Sequence, residues 1–214
     1  MDEEQRGNEK MAKQERPAVN IDGILAQKAL AGDEQAFEML LKRYQTPLFS
    51  FIYHFLGDYD QACDTLQQVF LQLYISLPKL RTGEPLKAWL FQVARNRCLD
   101  ELRRKRAVHF SELEGSTDED ELSPLDTLPD GCPLPEELAE HHDLQRLLSE
   151  AIQTLPPRFR AVVLLRYLAQ LSFAEIGQTL QMPEATAKTY FQRAKPLLRT
   201  ALREYTGKIT ATLA

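Results

Sequence analysis

The reading of the fold turns on SFAEIGQTLQMPEATAKTYFQRAK, Ser172–Lys195. Ser172 and Glu175 have the S-x-x-E spacing of a capping box, in which a hydroxyl and a carboxylate satisfy backbone donors at a helix start. A short helix, Phe173–Leu180, then buries Ile176 and Leu180. Gln181-Met182-Pro183 is a three-residue turn, and a proline suits the first position of a new helix. The next helix turns Ala187, Phe191, Ala194 and Leu198 inward, at spacings of four, three and four. A short helix, a tight turn and a longer basic helix make a helix-turn-helix. Thr186, Lys188, Thr189, Gln192 and Arg193 point outward, with donors suited to base edges and phosphates. Pro196 predicts a kink or stop, with base reading confined to residues before it.

Upstream, Arg158–Leu168 is one helix behind the Pro156-Pro157 break, and helical periodicity begins at about Pro135. The first half is also helical. Ala36, Phe37, Leu40, Leu41 and Tyr44 follow Asp33 at i, i+3, i+4, i+7 spacing. Pro47 predicts a helix junction, after which Leu48, Phe51, Ile52 and Phe55 resume the pattern up to a stop at Leu56-Gly57-Asp58. A third helix spans about Asp60–Leu77, with Ala62, Leu66, Val69, Phe70 and Leu73 inward. Pro78–Pro85 is a loop by its turn chemistry. A fourth helix, about Leu86–Arg106, buries Leu90, Ala94, Cys98 and Leu102 and ends in four cations that complement the carbonyl end of its dipole. No strand pattern competes. The expected fold is all-α: two small helical domains, 21–106 and 137–206, joined by an acidic flexible linker at 107–136, with tails at 1–20 and 207–214.

Charge is distributed unevenly over this plan. The 214 residues hold 26 Lys and Arg against 31 Asp and Glu, a net charge of -5. Ala107–Asp143 holds 12 of the acids and no Lys or Arg, so the remainder carries 26 basic against 19 acidic residues, or +7. Two basic blocks, Lys79–Arg106 and Leu144–Ala214, flank an acidic bridge, a pattern that points to nucleic acid. Cys63, Cys98 and Cys132 are far apart in sequence, which argues against a disulfide scaffold and for a reducing cytoplasm. No apolar run approaches the roughly 18 residues of a membrane span, and the first twenty residues do not read as a signal peptide. His141-His142-Asp143 and Asp118–Glu121 lack partner clusters at metal-ligand spacing. No cofactor or metal is expected. Hydrolase signatures and a phosphate-binding glycine loop are absent, so no enzyme is indicated.

The chain resembles the extracytoplasmic-function sigma factors, the smallest promoter-recognition subunits of bacterial RNA polymerase. The resemblance rests on GDEQAFEMLLKRY (Gly32–Tyr44), LGDYDQACDTLQQVFLQLY (Leu56–Tyr74), AWLFQVARNRCLDELRRKR (Ala88–Arg106) and LPPRFRAVVLLRYLAQLSFAEIGQTLQMPEATAKTYFQRAK (Leu155–Lys195). It implies that Asp64, Gln67 and Gln68 dock on the polymerase β′ clamp. It further implies that Lys79, Arg81, Lys87, Trp89, Arg95, Asn96 and Arg103 read and open the -10 element. Thr186, Lys188, Thr189, Gln192 and Arg193 would face the -35 element. Core RNA polymerase (β′ clamp and β flap) and promoter DNA are the implied partners, with an anti-sigma factor as a possible third. The family's linker enters the active-site cleft towards the RNA exit channel, where a polyanion of 12 acids suits a cationic wall. The chain departs from the pattern at Cys63-Asp64 and Gln68 on the docking surface, at Tyr190 on the recognition helix and at Gln181 in the turn.

Phe70, Tyr74, Trp89 and Phe91 could stack on unpaired bases, although Phe70 and Tyr74 read better as core. Two further readings of the residues stay open. One is a dimeric helix-turn-helix repressor or activator with an N-terminal sensor domain, which leaves the basic Lys79–Arg106 block unneeded. The other is a helical adaptor, which leaves the Lys188–Arg193 face unexplained.

Overall fold

The computed structural model describes residues 20–79, 85–111 and 142–212, with the side chains at 106–111, 142–146 and 205–212 excluded. Every regular element in these segments is helical: α1 (Ile21–Leu30), α2 (Glu34–Leu56), α3 (Tyr59–Ser76), a 3-10 turn (Leu77–Lys79), α4 (Leu86–Ser111), α5 (His142–Gln153), α6 (Pro157–Tyr167), α7 (Phe173–Leu180) and α8 (Glu184–Thr212).

Short polar residues set the helix starts. The side chains of Asn20, Asp33 and Asp58 accept the backbone N–H of Gly23, Ala36 and Gln61 at 2.9–3.1 Å, each satisfying one of the donors a helix start leaves free. Gly57 closes α2 in the left-handed region (φ 82°), donating its N–H to the Tyr53 carbonyl at 2.8 Å.

Packing overrides local chemistry at two prolines. No junction forms at Pro47, because α2 continues through it as one helix of 23 residues. Leu40, Tyr44, Leu48, Phe51, Ile52 and Phe55 are all buried on either side of it. Each large apolar side chain contributes about 1.5–3 kcal/mol on burial, which together exceeds the roughly 3 kcal/mol a helix-interior proline costs. Likewise α8 does not stop at Pro196. There the proline is exposed while Ala194 and Ala201 on the inner face are buried, so solvent can hydrate the carbonyl that loses its donor.

In the first half, α2, α3 and α4 enclose Phe51, Ile52, Leu66, Leu73, Leu90 and Phe91, each at most 2% exposed. Phe51 and Phe91 meet edge to face at 5.4 Å. Tyr74 does not join this core: it is 64% exposed and meets Phe37 edge to face, with ring centres 5.6 Å apart. It lies one residue, about 100°, beyond the buried Leu73 on the helix. In the second half, α6, α7 and α8 gather Val162, Leu165, Ile176, Ala187 and Ala194.

The halves also touch each other. α2 packs on α5 and α6, and α4 packs on α6 and α7, so the buried side chains form one continuous cluster. That is why α6 is buried over seven successive residues, Phe159–Leu165. It is covered by α8 on one side and by α2 and α4 on the other.

Candidate nucleic-acid interface

The helix-turn-helix forms where the sequence places it. Glu175 N–H donates to Ser172 Oγ at 3.2 Å, and Ser172 N–H donates to Glu175 Oε2 at 2.7 Å. Both hydrogen bonds of the capping box are therefore present. The Ser172 side-chain and backbone bonds, aided by the nearby Lys87 cation, hold the Glu175 carboxyl below its ordinary range. At the turn, Gln181 adopts the left-handed conformation (φ 54°) without being glycine. Met182 N–H then reaches back to the Gly177 carbonyl at 2.8 Å. Gly177 is required by close approach: a Cβ there would stand 2.8 Å from the Met182 carbonyl oxygen.

Successive residues of a helix advance by about 100°, which sorts the proposed -35 contacts on α8. Relative to Lys188, Gln192, Thr189, Arg193 and Thr186 span an arc of about 160°. The buried Ala187, Phe191 and Ala194 fall on the opposite side. Lys188, Thr189, Gln192 and Arg193 are exposed, and Thr186, at the edge of the arc, is half-buried. Lys188 Nζ rests 2.7 Å from Glu184 Oε1, and Thr189 Oγ1 donates to the Ala185 carbonyl at 2.8 Å. Tyr190 belongs to the flank of the inner face. It meets Phe159 edge to face at 5.3 Å, with the Arg158 guanidinium 5.8 Å from its ring centre.

On α4 the same arithmetic divides the proposed -10 contacts. Trp89, Asn96 and Arg103 are seven residues apart and share one stripe. Arg95 flanks it, and Lys87 lies on the opposite side. Asn96 and Arg103 are exposed, while Trp89 is half-buried against the core. Arg95 donates to Asn96 Oδ1 at 3.0 Å. Its Nε has no partner among the described residues, and burial together with the Arg103 charge lowers its pKa. Lys87 is half-buried in a cleft of about 300 Å³ that is also lined by Leu168, Ala169 and Gln170 of the second half. Phe91 is fully buried and is core. Lys79 is exposed on the 3-10 turn, and Arg81 lies outside the described residues.

The four cations of α4 do not mark its end, because the helix runs on to Ser111. Arg103 and Arg104 instead pair with Asp100 and Glu101, at 2.9 and 3.2 Å. On α3, Asp64, Gln67 and Gln68 share one face by their i, i+3, i+4 spacing. Asp64 is exposed and the two glutamines are half-buried. Cys63 beside them is disulfide-bonded, which sequence distance between cysteines did not foretell, whereas Cys98 is free and fully buried. Cys132 and most of the acidic bridge lie outside the described residues.

Sequence reasoning passed over Arg160. This cation is 8% exposed and donates to the carbonyls of Phe55, Gln153 and Leu155. Its mark in the sequence is a charge embedded in the otherwise apolar run Phe159–Leu165.

Among the described residues no helix is long and apolar enough to cross a membrane. Comparison with known proteins follows the same division of the chain. Residues 40–108 match the model for sigma-70 region 2, and residues 145–198 match that for sigma-70 region 4. The ECF RNA polymerase sigma factor SigW of Bacillus subtilis (strain 168) is 29% identical over 173 residues, 81% of this chain and 92% of its own. The ECF RNA polymerase sigma-E factor of Escherichia coli (strain K12) is 27% identical over 179 residues, 81% and 90% of the two chains. CnrH, solved in complex with the cytosolic domain of CnrY, shares the fold with a TM-score of 0.62 at 19% identity, covering 86% of this chain and 99% of its own. The sigma factor RpoE of Bartonella quintana, solved with the anti-sigma factor NepR, gives 0.60 at 20%, covering 78% and 96%. With region 2 on α2–α4, region 4 on α5–α8 and an exposed polar arc on the recognition helix, the chain belongs to the extracytoplasmic-function sigma factors and is a promoter-specific transcription initiation factor.

Proposed function

We propose that the chain divides this task among three helical surfaces. The Asp64, Gln67 and Gln68 face of α3 docks on the β′ clamp of core RNA polymerase. The Trp89–Asn96–Arg103 stripe of α4, flanked by Arg95 and joined by Lys79, Arg81 and Lys87, engages the -10 element. The Thr186–Arg193 arc of α8 enters the major groove at -35, and the second domain also meets the β flap. The observation that carries this reading is the exposed, donor-rich arc on α8, held in place by a complete capping box and a glycine-tight turn.

The proposed boundaries are 21–106 for the docking and -10 domain and 137–206 for the -35 domain. The acidic bridge at 107–136 would enter the polymerase cleft, with nine of the 12 carboxylates of Ala107–Asp143 facing walls that bind RNA. The protein acts in the cytoplasm as a regulatory subunit rather than as an enzyme. An anti-sigma factor is a further partner in this reading, supported by the complex in which RpoE was solved with the anti-sigma factor NepR.

Run-off transcription with purified core polymerase tests it. Promoter-specific transcripts should appear with this chain as the sole sigma subunit. Failure of that reaction, combined with dimeric binding to promoter DNA alone, would favour the repressor reading.

A further inference from the structure

We infer, resting on the promoter-reading role above, that Ala185 and Thr189 of α8 bracket the C5-methyl group of a thymine in the -35 element. The chain then selects an A·T pair there by apolar contact, and Ala185 joins the residues that set its specificity.

The inner side of α8 fixes how its outer side is turned. Ala187 and Ala194 are fully buried. The Phe191 ring meets Phe173 edge to face at 5.3 Å, and its centre is 5.7 Å from that of Tyr167. At about 100° per residue, Ala185 then stands about 60° from Lys188, and Thr189 about 100° from it. These two residues straddle the midline of the polar arc, with Lys188 and Gln192 on one flank and Arg193 and Thr186 on the other. Both are exposed. They are also the second and sixth residues of the helix, and the N-terminal residues of a recognition helix are those that contact base edges.

Neither midline residue offers a proton to DNA. Ala185 ends at its methyl group. Thr189 Oγ1 donates to the Ala185 carbonyl at 2.8 Å, which commits its one hydroxyl proton to the helix backbone. The Cγ2 methyl takes another of the staggered positions about Cβ, away from that carbonyl. At i, i+4 spacing the two Cβ atoms are about 5–6 Å apart. A third methyl can rest over the gap, touching both sides at about 4 Å. In the major groove thymine alone among the four bases presents a methyl, and alanine and threonine methyls are its apolar partners.

Side-chain length points the same way. Short groups on the midline let the helix axis approach the floor of the groove. Lys188, Gln192 and Arg193 are long enough to reach past it to neighbouring base edges and phosphates. Cytosine in thymine's place would bring a bare C5–H to the gap and forfeit the contact.

A uracil scan tests the bracket, with the full chain bound to core polymerase. A promoter duplex is first selected from a pool randomised across the -35 element. Each thymine of that element is then replaced by deoxyuridine, which removes the methyl and leaves base pairing intact. At one position the change should weaken binding about fourfold, as expected for one buried methyl. T189V keeps the methyl and should keep that dependence. A185G and T189S each remove one side of the bracket and should reduce it to about twofold or less. Taking the ratio of thymine to uracil affinity within each variant cancels any general loss of binding, including the helix propensity that glycine costs. A selected element without a fixed A·T pair, or affinity indifferent to uracil at every position, overturns the bracket. So does a dependence that T189V abolishes, or one that survives either A185G or T189S. Selection that enriches no element at all would instead remove the promoter-reading role, and the bracket with it.

Discussion

Lys188 offers the sharpest test of the recognition helix. In the free chain its ammonium is 2.7 Å from Glu184, and the two side chains are 57% and 47% exposed. An exposed i, i+4 pair of this kind is worth only about 0.3–0.5 kcal/mol, so breaking it to reach DNA costs little. A good base contact in the major groove discriminates by about 1–3 kcal/mol. At 1.4 kcal/mol per decade, K188A should therefore weaken binding to the matched -35 duplex by about 5- to 140-fold. Fluorescence anisotropy against duplexes substituted one base pair at a time is the assay. For a base contact, the loss should be confined to one position, where K188A no longer distinguishes matched from substituted DNA. For a phosphate contact, all duplexes should weaken alike and the log–log salt slope should shrink by about 0.9. Glu184 supplies the companion change: E184Q frees the ammonium and removes an anion from the DNA-facing turn, so affinity should rise about twofold. Unchanged affinity and salt slope in K188A would refute the placement of this arc against DNA.

Other outcomes follow from the same contacts. R103A with R104A should reduce the magnitude of the salt slope of promoter-complex formation by up to about 1.8, since each neutralised phosphate contributes about 0.9; a titration with KCl reads it. G177A should destabilise the second half by about 1–3 kcal/mol, as expected for overpacking, because the new methyl meets the Met182 carbonyl; denaturant unfolding and -35 affinity should both register it. His54 gives a pH dependence. Burial lowers its pKa below the ordinary 6.5, so below that pH the unfolded chain binds the proton more readily than the folded one. Its contribution to stability is thus complete above 6.5 and is lost as pH falls through the lowered value. The melting temperature should drop on acidification from pH 7 to pH 5, and H54Q should flatten that part of the profile.

Which of these features could be seen in the sequence depends on the range of the forces behind them. The α7 capping box, the turn and the inward set on α8 involve residues within a few positions of one another, and they form as the spacing implied. Pro47 misled because its cost is local while the burial that outweighs it comes from other helices, and Pro196 because it falls on the solvent side, where water can take the carbonyl it leaves free. Tyr74 misled by its type, since an aromatic residue near a core stripe still points outward when the helix turns 100° past that stripe. Of the residues expected at the -10 element, Trp89, Asn96 and Arg103 share one stripe of α4 while Lys87 turns towards the second half, a division that residue type alone does not reveal. Packing between the halves, with Arg160 at its centre, links residues about a hundred positions apart, and no periodicity records it.

Gln181 has a consequence of another kind. An L-residue held at φ 54° stores roughly 1–2 kcal/mol of steric strain, of which glycine would relieve most, at about 0.5–1 kcal/mol in lost backbone entropy. The turn between α7 and α8 is thus spring-loaded. Q181G should leave the recognition arc where it is while making the domain modestly more thermostable. Evolution of this chain has an accessible step towards heat resistance that touches no promoter contact.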